Sequence, residues 1–189
     1  MLIRVFIGAF LIGVLSAFEA ISQELTKYDL FQLEGDELFW RNTYDCPENL
    51  RPEVVQMLKS KFFTFNVVRN EIGYSGEIRH YEVDCKRYGR TYLNTPRMYT
   101  EGEWTGKFTV ELLDKQYRVT IYALYYEKME KSTGYYRTEK PVKGRYINAV
   151  TSRKKRTLKK SEFSNLVLMS LSLKDNFDIR NIVVLPGNR

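Results

Sequence analysis

The sequence predicts an α+β fold in which an antiparallel sheet of about five strands carries two helices on one face. Residues 103–127 alternate apolar and polar side chains with the period of two that is typical of half-buried strands. Two other stretches, near residues 50–62 and 161–176, repeat apolar residues at helical spacing. The resulting order of strand, helix, four strands and helix favours a sheet with its helices segregated to one side.

Length and composition agree with one folded domain. The chain has 189 residues, of which 43% are hydrophobic and 28% are charged, and such a composition argues against disorder. Its 14 tyrosines and 11 phenylalanines favour strands. We expect residues 36–185 to form a single α+β domain.

The first 22 residues have the pattern of a secretory signal peptide. Arg4 supplies the positive start, residues 5–18 the apolar region, and Ala20 and Ser22 the small residues that precede cleavage at Gln23. The alternative is a membrane anchor, but an apolar stretch that ends at Glu19 is shorter than the ~20 residues that span a bilayer. We therefore expect an exported protein, periplasmic or extracellular, that does not span the membrane after cleavage. Residues 23–35 would be a flexible lead-in.

The first half of the domain is predicted to contain three strands and a helix. Residues 37–44 form the opening strand, residues 63–71 the second and residues 77–86 the third, with turn residues at 73–76. Asn49 is expected to cap the helix. The apolar stripe of this helix, which we expect to pack on the sheet, consists of Leu50, Val54, Met57, Leu58 and Phe62.

The central hairpin occupies residues 103–127. Its turn at 113–116 lacks glycine, so a loop slightly longer than a two-residue turn is expected. One face of its second strand should carry Tyr117, Val119, Ile121, Ala123 and Tyr125, and the other Tyr122, Leu124 and Tyr126. The latter stripe is either covered by the chain that follows or exposed for a partner.

The chain after the hairpin gives weaker signals. Residues 128–160 form a long connection, with a possible short strand at 145–150. The second helix begins near Ser161, and its apolar stripe includes Phe163, Leu166 and Val167. Residues 182–185 are interpreted as a terminal strand or a tail that lies on the core.

Three segments carry a resemblance to a known family. They are the opening strand and helix (LFWRNTY, then LRPEVVQMLKSKF), the strand SGEIRHYEV and the hairpin KFTVELLDKQYRVTIYALYYE. Together they resemble the secreted domain of unknown function that is common in Bacteroidetes and adopts a TATA-binding-protein-like (TBP-like) fold. The resemblance covers residues 36–177 and implies that fold, but the family offers no catalytic residues to transfer. The fold name does not imply DNA binding, because function depends on sites rather than folds.

Cys46 and Cys85 are the only cysteines. In an oxidising compartment they can form a disulfide, which would stabilise the fold by ~4 kcal/mol. The alternative is two buried free thiols, because disulfide geometry is demanding. Their spacing does not suit a metal or redox site.

The sequence contains no catalytic signature. His80 is the only histidine, and with Glu82 and Asp84 it occupies one face of a predicted strand. We interpret this group as a charged surface rather than as a metal site, which needs about three ligands. The chain also lacks a glycine-rich phosphate loop, so no cofactor and no enzymatic activity are predicted.

One basic run stands out before the second helix. Its six cations are Arg153, Lys154, Lys155, Arg156, Lys159 and Lys160, in a chain whose net charge is +7. The positive end of the helix dipole lies nearby, so an anion would relieve the repulsion there. The alternative is a solvated loop. Nucleic acid is disfavoured because the run contains no aromatic residue on which bases could stack.

These observations predict an exported, non-enzymatic binding or structural protein of the bacterial cell envelope. Its partner would be a protein or an anionic component of the envelope. The alternative is an anion-binding module that uses residues 153–160 to hold an anionic polymer, lipid head groups or an acidic protein surface.

Overall fold

The structure is a computed structural model that describes residues 26–46, 51–130, 140–152 and 156–181, with the backbone alone at 128–130 and 140–142. The expected signal peptide and the expected helix cap at Asn49 lie outside these residues. So do the apolar run at 182–185 and three cations of the basic run, Arg153, Lys154 and Lys155.

An eight-stranded antiparallel sheet forms the centre of the molecule. Its strands are β1 (Lys27–Tyr28), β2 (Phe31–Glu34), β3 (Glu37–Asp45), β4 (Thr64–Arg69), β5 (Gly73–Tyr81), β6 (Glu103–Leu113), β7 (Gln116–Glu130) and β8 (Lys140–Arg145). They are ordered β1-β2-β3-β7-β6-β5-β4, and β8 pairs with the end of β7. A separate two-stranded ladder joins β9 (Thr151–Ser152) to β10 (Thr157–Leu158).

The helices lie on one face of this sheet. They are α1 (Arg51–Ser60), α2 (Arg97–Thr100), α3 (Tyr146–Val150) and α4 (Phe163–Phe177). Their buried side chains share one core with Trp40, Trp104, Phe108 and Val119 of the strands. The α+β class predicted from the sequence is therefore confirmed, although the sheet has more than the five strands expected.

The additional strands come from two segments that the sequence did not mark as regular. Residues 27–34, expected as part of a flexible lead-in, form β1 and β2, and Phe31 is fully buried. Within the long connection, residues 140–145 form β8. The possible strand at 145–150 is instead the end of β8 followed by α3.

The predicted hairpin is confirmed as β6 and β7, but its turn is tighter than expected. Leu113 pairs with Gln116, which leaves a two-residue turn at Asp114 and Lys115. Lys115 adopts a φ of 53°, which is the left-handed conformation that glycine usually supplies in such a turn.

Gly73 and Gly76 belong to β5 rather than to the predicted turn. A Cβ atom on Gly73 would lie 2.0 Å from the Val110 carbonyl oxygen, and one on Gly76 would lie 2.6 Å from the Phe108 ring. These glycines therefore permit close packing of β5 against β6.

A β-bulge in β7 changes which side chains face the core. Thr105 and Lys107 of β6 pair with Tyr125 and Tyr122, so three steps along β7 match two along β6. Ala123 takes a φ of 50° at this point, and its N–H donates to Glu37 Oε1 at 3.1 Å. Because the bulge reverses the alternation, the expected pattern of faces is wrong beyond residue 122. Leu124 is buried, Tyr126 lies against Trp104 with ring centroids 5.9 Å apart, and Tyr125 is exposed.

The two cysteines are buried and are not joined to each other, so the expected disulfide is not present. The Cys46 N–H donates to the Lys115 carbonyl, at the turn between β6 and β7. Cys85 follows β5, whose last pair joins Tyr81 to Trp104 at the opposite end of β6. About ten residues of extended strand separate these ends by ~30 Å, whereas disulfide geometry requires Cα atoms within ~7 Å.

Hydrogen bonds attach the sheet to α4. Four aromatic side chains of the strands bond to this helix: Trp40 to Ser170, Tyr44 to the Lys174 carbonyl, Tyr81 to Ser172, and Tyr117 to the Phe177 carbonyl. The predicted second helix is thus confirmed, and its buried face is partly polar.

The outermost strand on one side, β4, contains a second bulge. The register shifts between Phe65 and Val68, and Asn66 takes a φ of 52°. In the described part of the chain, no helix has both the length and the apolar character needed to cross a membrane.

Candidate ligand-binding cleft

A cleft of about 610 Å³ lies at the end of β5, beyond the first residue of β4. We call it the Phe62 cleft. Its lining residues are Phe62, Glu82, Val83, Asp84, Cys85, Lys86, Arg90, Thr91, Tyr92 and Thr100. Its volume falls within the range of small-molecule sites, about 300–1,000 Å³.

The walls of the cleft carry two exposed aromatic side chains. Phe62 is 77% exposed and Tyr92 is 62% exposed. Phe62 is exposed because α1 ends at Ser60, so the residue does not belong to the helical stripe in which the sequence placed it. Among the described aromatic rings, that of Phe62 contacts only Phe63, in an edge arrangement with ring centroids 5.5 Å apart. Exposed aromatic surface in a concave site is typical of a binding surface.

The floor of the cleft is an extended segment that continues from β5. From Tyr81 to Cys85, buried and exposed residues alternate, with Glu82 and Asp84 exposed. Within the described chain, no hydrogen bond reaches the backbone N–H or C=O groups of Glu82 or Asp84. The backbone of this segment bonds to itself only where the Cys85 N–H donates to the Val83 carbonyl at 2.8 Å.

The charged groups of the cleft balance one another. Glu82 and Asp84 supply two carboxylates, and Lys86 and Arg90 supply two cations. The Arg90 guanidinium donates to the Ser164 carbonyl at 3.1 Å, and Asp84 Oδ1 accepts from the Arg87 N–H at 3.2 Å. The cleft therefore offers polar groups of both signs around an apolar centre.

Cys85 is not suited to nucleophilic chemistry. Its Sγ donates to the Tyr99 carbonyl at 3.3 Å. Burial raises the pKa of the Cys85 thiol, so the thiolate that would attack a substrate is disfavoured at neutral pH.

His80, the only histidine of the chain, lies on the surface at a third bulge of the sheet, in β5. It takes a φ of 53°, and its Nδ1 lies 2.7 Å from Glu103 Oε2. Both side chains are at least half exposed. Over residues 26–46, 51–130, 140–152 and 156–181, no group of three or more histidine, cysteine, aspartate or glutamate residues is placed to hold a metal ion.

The described half of the basic run does not converge on one point. Arg156 is exposed at the turn between β9 and β10, where it takes a φ of 50°. Lys159 is half-buried, and its Nζ donates to the Ala149 carbonyl at 2.7 Å. Lys160 is exposed and begins a 3₁₀ turn that leads into α4. Tyr146, the nearby aromatic residue, is fully buried and does not present a stacking surface.

The second face of the sheet, opposite the helices, is polar and internally paired. Ion pairs join Arg41 to Glu34, Arg79 to Glu77 and Arg118 to Glu111. Its aromatic side chains are also paired: Tyr122 lies beside Phe39, with ring centroids 6.0 Å apart, and the Arg41 and Arg79 guanidiniums lie over the rings of Phe39 and Phe65. Because the bulge at Ala123 removes Leu124 and Tyr126, the apolar stripe expected on this face does not form.

The sequence reasoning missed both aromatic residues of the Phe62 cleft. The spacing of Phe62 extends the apolar stripe of the predicted helix, and Tyr92 lies between the predicted strand at 77–86 and the hairpin, where no pattern marks it. The available signal was the polar pair Lys59 and Ser60, which ends the helix before Phe62.

Comparisons with known proteins provide little further guidance. No protein-family model matches the chain, and no curated protein matches it. Among solved structures, the chain is similar to a TBP-like protein from Parabacteroides distasonis, with a TM-score of 0.40 and 11% sequence identity. The match covers 80% of this chain and 97% of that one. Similarity at this level carries no argument about ligand or activity, which therefore have to be inferred from the residues themselves.

Proposed function

We propose that this chain is an exported, non-enzymatic binding protein of the bacterial cell envelope and that the Phe62 cleft holds its ligand. The observation that carries the proposal is the exposure of Phe62 and Tyr92, at 77% and 62%, on the walls of a cleft of about 610 Å³. Covering such rings with a ligand removes apolar surface from water and favours association. We also propose that the chain has the TBP-like fold of the family that its sequence resembles.

Two further observations support the choice of this surface and of this class of protein. The second face of the sheet carries charges that already pair with one another, whereas Glu82 and Lys86 of the cleft form no ion pair among the described residues. Among the described residues, His80 and Cys85 are not placed as base and nucleophile, since His80 bonds to Glu103 and Cys85 to the Tyr99 carbonyl. Export rests on the signal-peptide pattern of residues 1–22.

Binding of an uncharged apolar dye, Nile red, tests the cleft directly. We expect the wild-type protein to enhance the dye's fluorescence, and we expect Phe62→Ser and Tyr92→Ser to weaken binding by about tenfold each. That factor corresponds to ~1.4 kcal/mol, within the range for removing a buried apolar side chain. Both residues are largely exposed, so neither change should disturb the fold.

Leu93 provides a matched control. It is 100% exposed and adjacent to Tyr92 in the chain, but it does not line the cleft. Leu93→Ser should leave dye binding unchanged. The proposal fails if the wild-type protein does not bind the dye, or if Leu93→Ser lowers binding as much as Phe62→Ser does.

A second candidate function is anion binding at residues 153–160. One observation favours it: the Arg90 guanidinium reaches the first turn of α4 at Ser164, close in sequence to Lys160, and adds a cation that the sequence alone did not place there. Heparin and anionic vesicles are suitable probes. Affinity that falls steeply as salt rises would support this candidate, and affinity that stays flat would remove it.

A further inference from the structure

We infer that the ligand of the Phe62 cleft is an extended polypeptide segment of a partner protein, which adds as a short strand alongside residues 82–84. This inference rests on the proposed function and names the ligand class of the same site. The partner segment would lie in line with β4, beside residues 82–84, which β4 does not reach.

The first step is the geometry of the gap beside β5. The pairing of β4 with β5 begins at Thr64 and Ile78, and one further bond joins the Arg79 N–H to the Phe63 carbonyl. The chain before Phe63 turns away, because the Thr64 N–H donates to the Lys61 carbonyl. Residues 82–84 therefore extend beyond β4, and the space beside them is the Phe62 cleft.

The second step concerns the backbone of this segment. Successive residues of an extended chain direct their N–H and C=O groups to alternate edges, so those of Glu82 and Asp84 share an edge. None of these four groups is bonded within the described chain. Together they offer two donors and two acceptors, with Asp84 at the centre of the γ-turn that the Cys85 N–H closes on the Val83 carbonyl, and unbonded backbone groups at an edge are what strand addition uses.

The third step is the match of side chains. In strand addition, backbone bonds supply affinity and adjacent pockets accept alternate side chains of the peptide. Phe62 and Tyr92 both line the cleft that borders this segment, and their exposed rings offer apolar contacts to such side chains. A peptide with an apolar residue at every second position would direct its apolar side chains to one face, where such rings can contact them.

Charge selects among the possible ligands. The two carboxylates and two cations of the cleft balance, so neither a polyanion nor a polycation gains from long-range attraction. An apolar segment with an uncharged backbone is complementary to such a site. The outer edge of β4 itself is a poorer site for strand addition, because the bulge at Asn66 interrupts it.

Selection from a displayed library of random linear peptides on the full chain, followed by synthesis of the best binder, tests the inference. Glu82→Pro removes one backbone donor and breaks no internal bond, whereas Glu82→Gln keeps that donor and changes only the side chain. We expect Glu82→Pro to weaken the peptide by at least about tenfold and Glu82→Gln to change affinity by less than about twofold. Methylation of alternate backbone nitrogens removes the N–H donors of one edge of the peptide. It should abolish binding when that edge faces residues 82–84, and it should not when the other edge is methylated. This test leaves the protein unchanged, so it applies even if Glu82→Pro does not fold.

The outcomes separate the two proposals. If Nile red binds and the library gives no peptide that Phe62→Ser weakens, the polypeptide ligand is wrong while the cleft remains a binding site. The inference is equally wrong if Glu82→Pro and the methylated peptides bind as tightly as their parents. If neither dye nor peptide binds, the proposed function fails as well.

Discussion

Tyr81 illustrates how single side chains hold α4 on the sheet. Its hydroxyl lies 2.5 Å from Ser172 Oγ, and Asn176 Nδ2 donates to it at 3.4 Å. The residue is 1% exposed, so its hydroxyl has no access to water as a substitute partner. A buried polar group that loses its partner costs about 1–3 kcal/mol.

We therefore expect Tyr81→Phe to lower the free energy of unfolding by about 1–2 kcal/mol, because the buried Ser172 hydroxyl loses its partner. Urea denaturation measures the change. Tyr122→Phe, on the opposite face, should change stability by less than about 0.5 kcal/mol. An equal loss in the two variants would show that the hydroxyl of Tyr81 contributes nothing specific.

The sequence predicts the apolar part of α4 but not these bonds. Leu166 marks the helical stripe by spacing alone, and it is fully buried as expected. Ser172 is also buried, yet nothing in its local sequence distinguishes it from an exposed serine. Its role depends on Tyr81, which is 91 residues away and is brought close only by the fold.

At the scale of the element, the bulge of β7 depends on a contact from outside its own hairpin. Glu37 accepts from the Ala123 N–H, and its other oxygen accepts from Arg145 Nη2 at 3.3 Å. One side chain thus joins the start of β3, the bulge of β7 and the end of β8. Since the bulge decides which residues of β7 face the core, Glu37 stabilises the register of the whole strand.

Replacing Glu37 with alanine should therefore cost about 1–3 kcal/mol in urea denaturation, because the bulge amide and Arg145 both lose their acceptor. The control is Glu34→Ala, which removes one partner of an exposed ion pair with Arg41 and should cost less than about 1 kcal/mol. In nuclear magnetic resonance spectra, the amide of Ala123 should shift only in the Glu37 variant. A Glu37 variant as stable as the wild type would contradict this role.

Element prediction failed where a residue other than glycine adopts a glycine-like conformation, or where glycine serves another purpose. Ala123 and Lys115 take left-handed angles without any sequence signal, so the bulge and the tight turn could not be foreseen. Conversely, Gly73 and Gly76 suggested a turn but permit close contact with Val110 and Phe108. The long alternation of β6 was predictable because its period is uninterrupted from Phe108 to Leu112.

For the molecule as a whole, the buried tyrosines determine its behaviour in alkali. Burial raises the pKa of Tyr44, Tyr81, Tyr99, Tyr117 and Tyr146 above the ordinary value. Burial also raises the pKa of Tyr88, to about 12. In the unfolded chain these phenols ionise near pH 10, whereas in the folded protein they remain protonated.

The stability that these groups contribute is therefore present below about pH 10 and is lost as the pH rises above it. Each fully buried tyrosine should lower the free energy of unfolding by about 1.4 kcal/mol per pH unit in that range. Urea denaturation at increasing pH, combined with the ultraviolet absorbance of tyrosinate, provides the measurement. If all 14 tyrosines ionise near pH 10 while the protein stays folded, the buried hydroxyls are not protected as described.

At this scale the sequence predicts the α+β class and the position of the helices, but it does not predict the cleft. The cleft forms where Phe62, the end of β5 and Tyr92 meet, so it depends on how far β5 extends beyond β4. That difference in strand length has no local signature. The basic run, by contrast, is visible in the sequence, yet Lys159 is engaged by the Ala149 carbonyl rather than left available.

The left-handed residue in the outermost strand bears on how copies of the chain behave when they are crowded together. Fibril growth requires each new molecule to form hydrogen bonds with an unbroken row of backbone groups. Asn66 interrupts that row in the middle of β4. At this edge, a long sheet in a tyrosine-rich protein is thereby a poorer template for its own aggregation. The open backbone of residues 82–84, beyond the end of β4, is too short for runaway assembly, although it is long enough for the peptide proposed above.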